Sequence, residues 1–233
     1  MHAEELAKTI DHTLLRPDAT ARDVERLCRE ARHHHFAAVC LLPFWVPFAC
    51  NLLEGSDVKV CAVISFPFGA DTRRVKVAAA KDAVALGADE LDVVMCLPAM
   101  LSGDFTYVRN EAAAVVRAAR VGAVNGGTGL VLVKIIIETC YLTTKLKKLA
   151  CRIVEDAGAD FVKTSTGLGT GGATIHDVEL LRDCLGEHVA VKASGGIRTC
   201  DEVEAMINAG AARIGTSAGL DIMQQYVARH EVA

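Results

Sequence analysis

The chain has 233 residues, 52% of them apolar and 23% charged, and carries a net charge of -4. A chain of this length and apolarity can bury one sizeable core, and with no block of like charge it lacks the signature of a nucleic-acid groove or a charged membrane face. Nine cysteines, an odd number without a C-x-x-C pair, read as reduced thiols rather than a disulfide framework or a zinc cluster.

The N-terminus, MHAEELAKTIDHTLL, carries acids where a secretory signal would be basic. The most apolar stretch, Leu130 to Ile137, is interrupted by Lys134 and falls far short of the ~20 residues a membrane helix needs. The expectation is a cytoplasmic protein with no membrane or nucleic-acid partner, built as one domain over residues 1–233.

In chain order, eight short apolar runs alternate with longer helical patterns. The runs are residues 9 to 15 (TIDHTLL), 36 to 42 (FAAVCLL), 58 to 66 (VKVCAVISF), 90 to 95 (ELDVVM), 130 to 137 (LVLVKIII), 161 to 166 (FVKTST), 189 to 194 (VAVKAS) and 212 to 217 (ARIGTS). Helical patterns fall at residues 23 to 35, 75 to 86, 109 to 121, 144 to 157, 178 to 184 and 202 to 209. Such alternation implies parallel strands joined by crossover helices. Thr20 with Asp23, Thr174 with Asp177, and Thr199 with Glu202 have capping-box spacing. Gly87, Gly158 and Gly210 stop helices just before strands, so GADELDVV, GADFVKTS and GAARIGTS repeat one structural unit. Eight units favour closure into a (β/α)8 barrel of the TIM type; a doubly wound open sheet is the alternative.

Charged residues recur late in these runs. Lys163 shares its face with Phe161 and Ser165; Lys192 ends VAVKAS in the same manner, Asp92 sits in ELDVVM, and Lys134 has the parity of Glu138. In a barrel, the C-terminal strand ends build the active site. An ordinary buried ion-pair network is the bland reading. Two lysines beside glycine loops support another: a lysine attacks a carbonyl only as the free amine. Freeing that amine near neutrality costs about 4 kcal/mol, part of which a second ammonium close by supplies. Asp92 could then move protons, and the layout suits imine formation with a carbonyl substrate.

Gly167, Gly169 and Gly172 match the dinucleotide spacing G-x-G-x-x-G. A dinucleotide loop should be followed, about 20 residues on, by a strand ending in an acid. The next strand ends in Lys192, which argues against it. The loops after the seventh and eighth runs, with Gly195, Gly196, Gly215 and Ser217, occupy the usual phosphate position of barrels; each alone could be plain turn chemistry.

The motifs IDHTLL (10 to 15), VCAVISFPFGA (60 to 70), KIIIET (134 to 139), FVKTSTG (161 to 167), VKASGGIRT (191 to 199) and RIGTSAG (213 to 219) resemble, in this order, the deoxyribose-phosphate aldolase family across essentially the whole chain. The resemblance implies a class I (β/α)8 aldolase. Such an enzyme interconverts 2-deoxyribose 5-phosphate with glyceraldehyde 3-phosphate and acetaldehyde, and needs neither metal nor cofactor beyond the covalent imine. It further implies that Lys163 forms the Schiff base, Lys192 lowers its pKa and Asp92 works the proton relay. Lys134 would join that relay, Asp11 would lie near the sugar and Thr166 near the substrate hydroxyls. The phosphate would sit on Gly167, Gly195, Gly196, Gly215 and Ser217. A homo-oligomer is expected, a dimer first.

Departures from the family pattern are Ser65 where Gly is usual, Leu42 and Cys96 where Asn is usual, and Ala218 where a second Ser is frequent. Ala218 predicts weaker phosphate affinity, cushioned by its remaining backbone amide. The run His33 to His35 reads as a solvated helix end, because consecutive helical residues point about 100° apart and cannot face one ion. His12, opposite in parity to Asp11, Cys40 and the Phe44–Trp45 pair are not assigned to the site, and Glu138 is expected to stand behind the residues that meet substrate. Rival readings are a phosphosugar-binding barrel without chemistry, a nicotinamide-dependent oxidoreductase and a metal-dependent aldolase. The tail from Met223 is left open between an ordered helix and a lid.

Overall fold

The computed structural model describes residues 1–126 and 129–230. Eight parallel strands pair in sequence order and close: β1 (Ile10–Leu14), β2 (Ala38–Leu41), β3 (Lys59–Ile64), β4 (Glu90–Val94), β5 (Leu132–Ile136), β6 (Phe161–Lys163), β7 (Ala190–Ser194) and β8 (Ala211–Thr216), with β8 pairing back to β1. The (β/α)8 barrel is therefore the fold, and closure rules out the doubly wound sheet.

Around it, in chain order, lie α1 (Ala3–Ala7), α2 (Ala21–His34), α3 (Val46–Leu52), α4 (Arg73–Ala85), α5 (Leu97–Leu101), α6 (Phe105–Gly126), α7 (Thr144–Asp156), α8 (Ile175–Cys184), α9 (Cys200–Asn208) and α10 (Gly219–His230). The main core fills the space between strands and helices, with residues such as Phe36, Leu91, Val133 and Ile153 inaccessible to solvent. Leu91 on β4 and Val133 on β5 point away from the barrel axis. The alternate positions on the same strands point into it, and several are charged. Among the described residues no helix is long and apolar enough to cross a membrane.

The helix signals hold with one exception. Thr20 and Thr199 form reciprocal capping boxes with Asp23 and Glu202. Thr174 accepts from the Asp177 amide, but the Asp177 carboxylate turns to Lys147 of α7 at 2.5 Å, so the box is only half made and a tertiary ion pair replaces the other half. The tail is ordered helix as far as His230, and its last three residues lie outside the described residues.

Ser65, just past β3, has φ 54°, the left-handed region in which a side chain is strained and glycine is not. Its carbonyl accepts from the Gly69 amide at 2.7 Å, closing a turn that packs on the end of β4. A Cβ at Gly69 would lie 2.0 Å from the Met95 carbonyl oxygen, so the turn cannot shift to relieve Ser65. Ser65→Gly is expected to raise stability by about 1 kcal/mol, read as a higher urea midpoint at unchanged slope.

Candidate active site

Strand register decides which charged side chains meet. Across β4 and β5, Asp92 is level with Lys134; across β6 and β7, Lys163 is level with Lys192. All four point into the barrel. Asp92 Oδ2 accepts from Lys163 Nζ at 2.8 Å and from Lys192 Nζ at 2.7 Å, so the two lysine nitrogens share one oxygen. The other oxygen, Oδ1, accepts from Lys134 Nζ at 2.9 Å. Burial alone would push the Asp92 carboxyl up, but Lys134, Lys163 and Lys192 outweigh it and hold it well below the usual carboxylate range. Asp92 is thus an anion at any working pH.

A deeper layer supports this one. Asp11 accepts from Lys192 Nζ and, at 2.6 Å, from Arg213 Nη1; Glu90 contacts Lys134 Nζ at 2.5 Å and Arg213 at 3.3 Å. The Arg213 guanidinium also lies over the Phe161 ring, 5.6 Å from its centroid. Burial pulls the Lys192 ammonium down, yet Asp11 and then Asp92 outweigh it and hold its pKa above the ordinary lysine value. Lys134 is raised in the same way, burial being outweighed by Asp92, Cys61, Glu90 and Asp11. Glu90 and Arg213 are not singled out in the sequence. Glu90 shares the parity of Asp92, which is a signal; Arg213 meets Asp11 only because the barrel closes.

This interior network contains three carboxylates, Asp11, Glu90 and Asp92, and four cations, Lys134, Lys163, Lys192 and Arg213. Lys134, Lys192 and Arg213 each contact two or more of the acids, whereas Lys163 contacts Asp92 alone. Lys163 is also the cation of this set that borders the open cavity above the barrel. The least-held cation is therefore the one a substrate can reach.

The cavity, about 430 Å³, is lined by Lys163, Thr166, Gly167, Gly195, Gly196, Gly215 and Ser217, along with Arg16 and Arg198 at its mouth and an apolar side that includes Leu15 and Phe66. Asp11, Asp92, Lys134 and Lys192 are not on that lining but in the layers beneath, where Asp11 contacts Lys192 and Arg213. Two glycine positions are explained by close approach. A Cβ at Gly215 would lie 3.2 Å from Lys192 Cε and crowd the side chain that reaches Asp92; one at Gly172 would lie 2.1 Å from the Gly195 carbonyl oxygen, where two loops cross.

Two groups expected near the substrate are engaged within the protein. Thr166 lines the cavity, but its amide donates to both Glu138 oxygens at 3.1 and 3.2 Å and its hydroxyl donates to Glu138 as well, so its polar groups already have a protein partner. The Ala218 amide donates to Thr216 Oγ1 at 2.9 Å and is therefore committed within its own loop, not left to a phosphate.

Cys40 and Cys61, level with each other across β2 and β3, come together with Asp92 in the geometry of a small metal-ligand cluster. The donor chemistry does not fit a divalent ion. Both Asp92 oxygens already accept from ammonium groups and Lys134 Nζ lies 3.4 Å from Cys61 Sγ; contact with Cys61 lowers the Cys40 thiol, but burial followed by contact with Cys40 and Asp92 pushes the Cys61 thiol well above its ordinary value, so the pair does not offer two thiolates. Cys61 instead donates to Asp92 at 3.2 Å and Cys40 does so weakly at 3.7 Å.

Cys40 apart, the residues left unassigned lie elsewhere. His12 Nε2 bonds Glu30 of α2 at 2.8 Å, outside the barrel interior. His35, the left-handed cap of α2, bonds Asp57 at 3.0 Å. Phe44 is 78% exposed, and Trp45 packs edge-on against it with ring centroids 4.8 Å apart.

A closed barrel with lysines and a carboxylate gathered under a cavity at the strands' C-terminal ends defines the class: a barrel enzyme with its site where such enzymes carry it. The chain belongs to the DeoC/LacD family of aldolases, whose family model matches residues 6–225. Deoxyribose-phosphate aldolases of Thermoanaerobacter sp. (strain X514) and Brevibacillus brevis are 50% and 51% identical to it over 221 and 216 residues, spanning 95% and 93% of this chain and 96% and 94% of theirs. The solved structure of deoxyribose phosphate aldolase from Aeropyrum pernix, a tetramer, matches with a TM-score of 0.87 at 36% identity, over 97% of this chain and 92% of that one.

Proposed function

We propose that this chain is a class I aldolase that cleaves 2-deoxyribose 5-phosphate reversibly to glyceraldehyde 3-phosphate and acetaldehyde through a Schiff base on Lys163. The observation that carries the reading is the position of Lys163, the one member of the interior network that contacts a single acid and borders the cavity. As the free amine, Lys163 Nζ adds to the substrate aldehyde, and the carbinolamine, taking up a proton on its hydroxyl, loses water to leave an iminium. The iminium keeps a positive charge at the atom that touches Asp92, so the developing charge meets an anion already in place. It draws electrons from the carbon–carbon bond that breaks while the hydroxyl on the departing carbon gives up its proton to the relay, releasing glyceraldehyde 3-phosphate. The remaining enamine is protonated and hydrolysed to acetaldehyde.

Lys192 has the role of the charged neighbour. Held as an ammonium by Asp11 and Asp92, it places a second positive charge beside Lys163 and has a proton to give; the shared Asp92 oxygen is the bridge along which protons move between the two nitrogens. Lys134, Asp11, Glu90 and Arg213 keep Asp92 and Lys192 ionised and oriented. The phosphate end lies on Gly167, Gly195, Gly196, Gly215 and Ser217, near the start of α10, where backbone amides and the helix end favour an anion. The reading carries with it a cytoplasmic enzyme that works as a homo-oligomer, with a dimer the first expectation.

The test is acetaldehyde release from 2-deoxyribose 5-phosphate by protein pre-treated with a strong chelator. Turnover unchanged by the chelator is expected. Activity lost in chelator and restored by a divalent ion would replace the imine with metal chemistry, and calorimetric binding of the phosphosugar without turnover would leave a binding protein.

A further inference from the structure

Glu138 is a buried carboxylate, 2% exposed, that the proposed chemistry does not use. It lies two residues past β5 with φ 51° and ψ 69°, a left-handed conformation that a non-glycine residue keeps only where its surroundings demand it. A buried carboxylate needs hydrogen-bond donors, and the close ones of Glu138 come from one residue just past the neighbouring strand β6: the Thr166 amide, at 3.1 and 3.2 Å to the two oxygens, and the Thr166 hydroxyl, with a weak contact from the Cys140 thiol at 4.0 Å. The backbone joins the same two segments, the Thr139 amide donating to the Thr164 carbonyl at 2.9 Å.

Thr166 in turn starts the glycine loop over the site. Its hydroxyl oxygen accepts from the Leu168 amide at 3.1 Å, and the loop passes so close to Glu138 that a Cβ on Gly169 would lie 3.2 Å from the carboxylate carbon. The far end is pinned to β7, where the Ala173 amide reaches the Ser194 and Gly195 carbonyls at 3.0 and 3.1 Å. Thr166, Gly167 and Leu168 form the cavity wall on the same side as Lys163. The segment up to Ser165 is tied to β7, where the Ser194 hydroxyl donates to the Ser165 carbonyl at 2.6 Å; from Thr166 onward the loop is held at its start by Glu138 and at its far end by strand backbone.

We propose that Glu138 is a positioning residue that fixes the 166–172 loop as a wall of the substrate cavity, and that through this loop it sets the preference for a phosphorylated sugar over the same sugar without phosphate. The proposal rests on the aldolase reading. Acetaldehyde needs to reach only Lys163, whereas the phosphate end needs the Gly167 backbone held in place. Loss of Glu138 therefore affects the long substrate and spares the short one.

The experiment compares wild type, Glu138→Ala and Glu138→Gln on 2-deoxyribose 5-phosphate and on 2-deoxyribose, with borohydride trapping of acetaldehyde as the reference. Glu138→Ala is expected to raise KM for the phosphosugar about tenfold and to lower the phosphosugar-to-sugar ratio of kcat/KM by a similar factor, with trapping unchanged. Glu138→Gln, whose amide oxygen still accepts from Thr166, is expected to stay within about threefold of wild type. An unchanged ratio in Glu138→Ala, or an equal loss on both sugars, overturns the proposal. Should Glu138→Ala not fold, Thr166→Val removes the hydroxyl contact at nearly constant shape; a ratio lowered by about threefold supports the proposal and an unchanged ratio overturns it. Absence of trapping in the wild type would instead be a failure of the aldolase reading, so the two failures are distinguishable.

Discussion

Lys163→Ala is expected to lower kcat/KM on 2-deoxyribose 5-phosphate by at least ~10⁴-fold while leaving the melting temperature unchanged or higher. Loss of rate follows from removing the amine that would carry the substrate. The stability result follows from charge. Four cations face three carboxylates inside the barrel, and Lys163 contacts only Asp92, which still has Lys134 and Lys192 when Lys163 is gone. The variant removes the excess positive charge, and the space it leaves opens onto the cavity, where water can fill it. Stability and activity therefore move independently, as expected where a site holds charge for chemistry at the expense of the fold. Calorimetry with a parallel assay of acetaldehyde release checks both parts. A large fall in melting temperature with the activity loss would make Lys163 a structural ion-pair partner.

Asp92→Asn is expected to do the opposite on stability. It leaves four cations with two carboxylates, and breaking a buried network in this way costs about 3–5 kcal/mol, or roughly 10 °C in melting temperature for a chain of this size. Activity should fall by about 10²–10⁴-fold, since the shared oxygen between Lys163 and Lys192 becomes neutral. The pH dependence has a definite sign. The folded carboxyl lies well below its ordinary value of 3.8, so its contribution to stability is complete above that pH and is lost as pH falls through the folded pKa. Urea midpoints of wild type and Asp92→Asn should differ by a constant amount from pH 8 down to about 4 and converge below it. A gap that closes between pH 8 and 6 would show that Asp92 is not the anion of the network.

Much of this architecture is legible in the sequence because the barrel reuses one unit. Glycine stops at Gly87, Gly158 and Gly210 precede three of the strands, and all three adopt positive φ. Parity along single strands correctly turns Lys163, Lys192, Asp92 and Lys134 inward, since each is decided by its own strand. Contacts that arise only on closure carry no local signal. Lys192 pairs with Asp11 across 181 positions and Arg213 with the same acid across 202, so the cations around Asp11 could not be read from its own segment. The short helices α1, α3 and α5 have five to seven residues, too few for a periodic pattern to emerge. Strand β6 ends at Lys163, three residues before the apolar run does, because Thr166 leaves the strand direction to meet Glu138. A carboxylate that serves a loop on the neighbouring strand, with no partner near it in sequence, could not be recognised from its own motif.

The central claim is that Lys163 becomes covalently bound to substrate, and the direct measurement is peptide mass analysis after borohydride reduction in the presence of acetaldehyde. A mass increase corresponding to one ethyl group on the peptide containing Lys163, absent in Lys163→Ala, is the predicted result. Label on the peptide of Lys192 or Lys134, or no label in a protein that turns over 2-deoxyribose 5-phosphate, would contradict it.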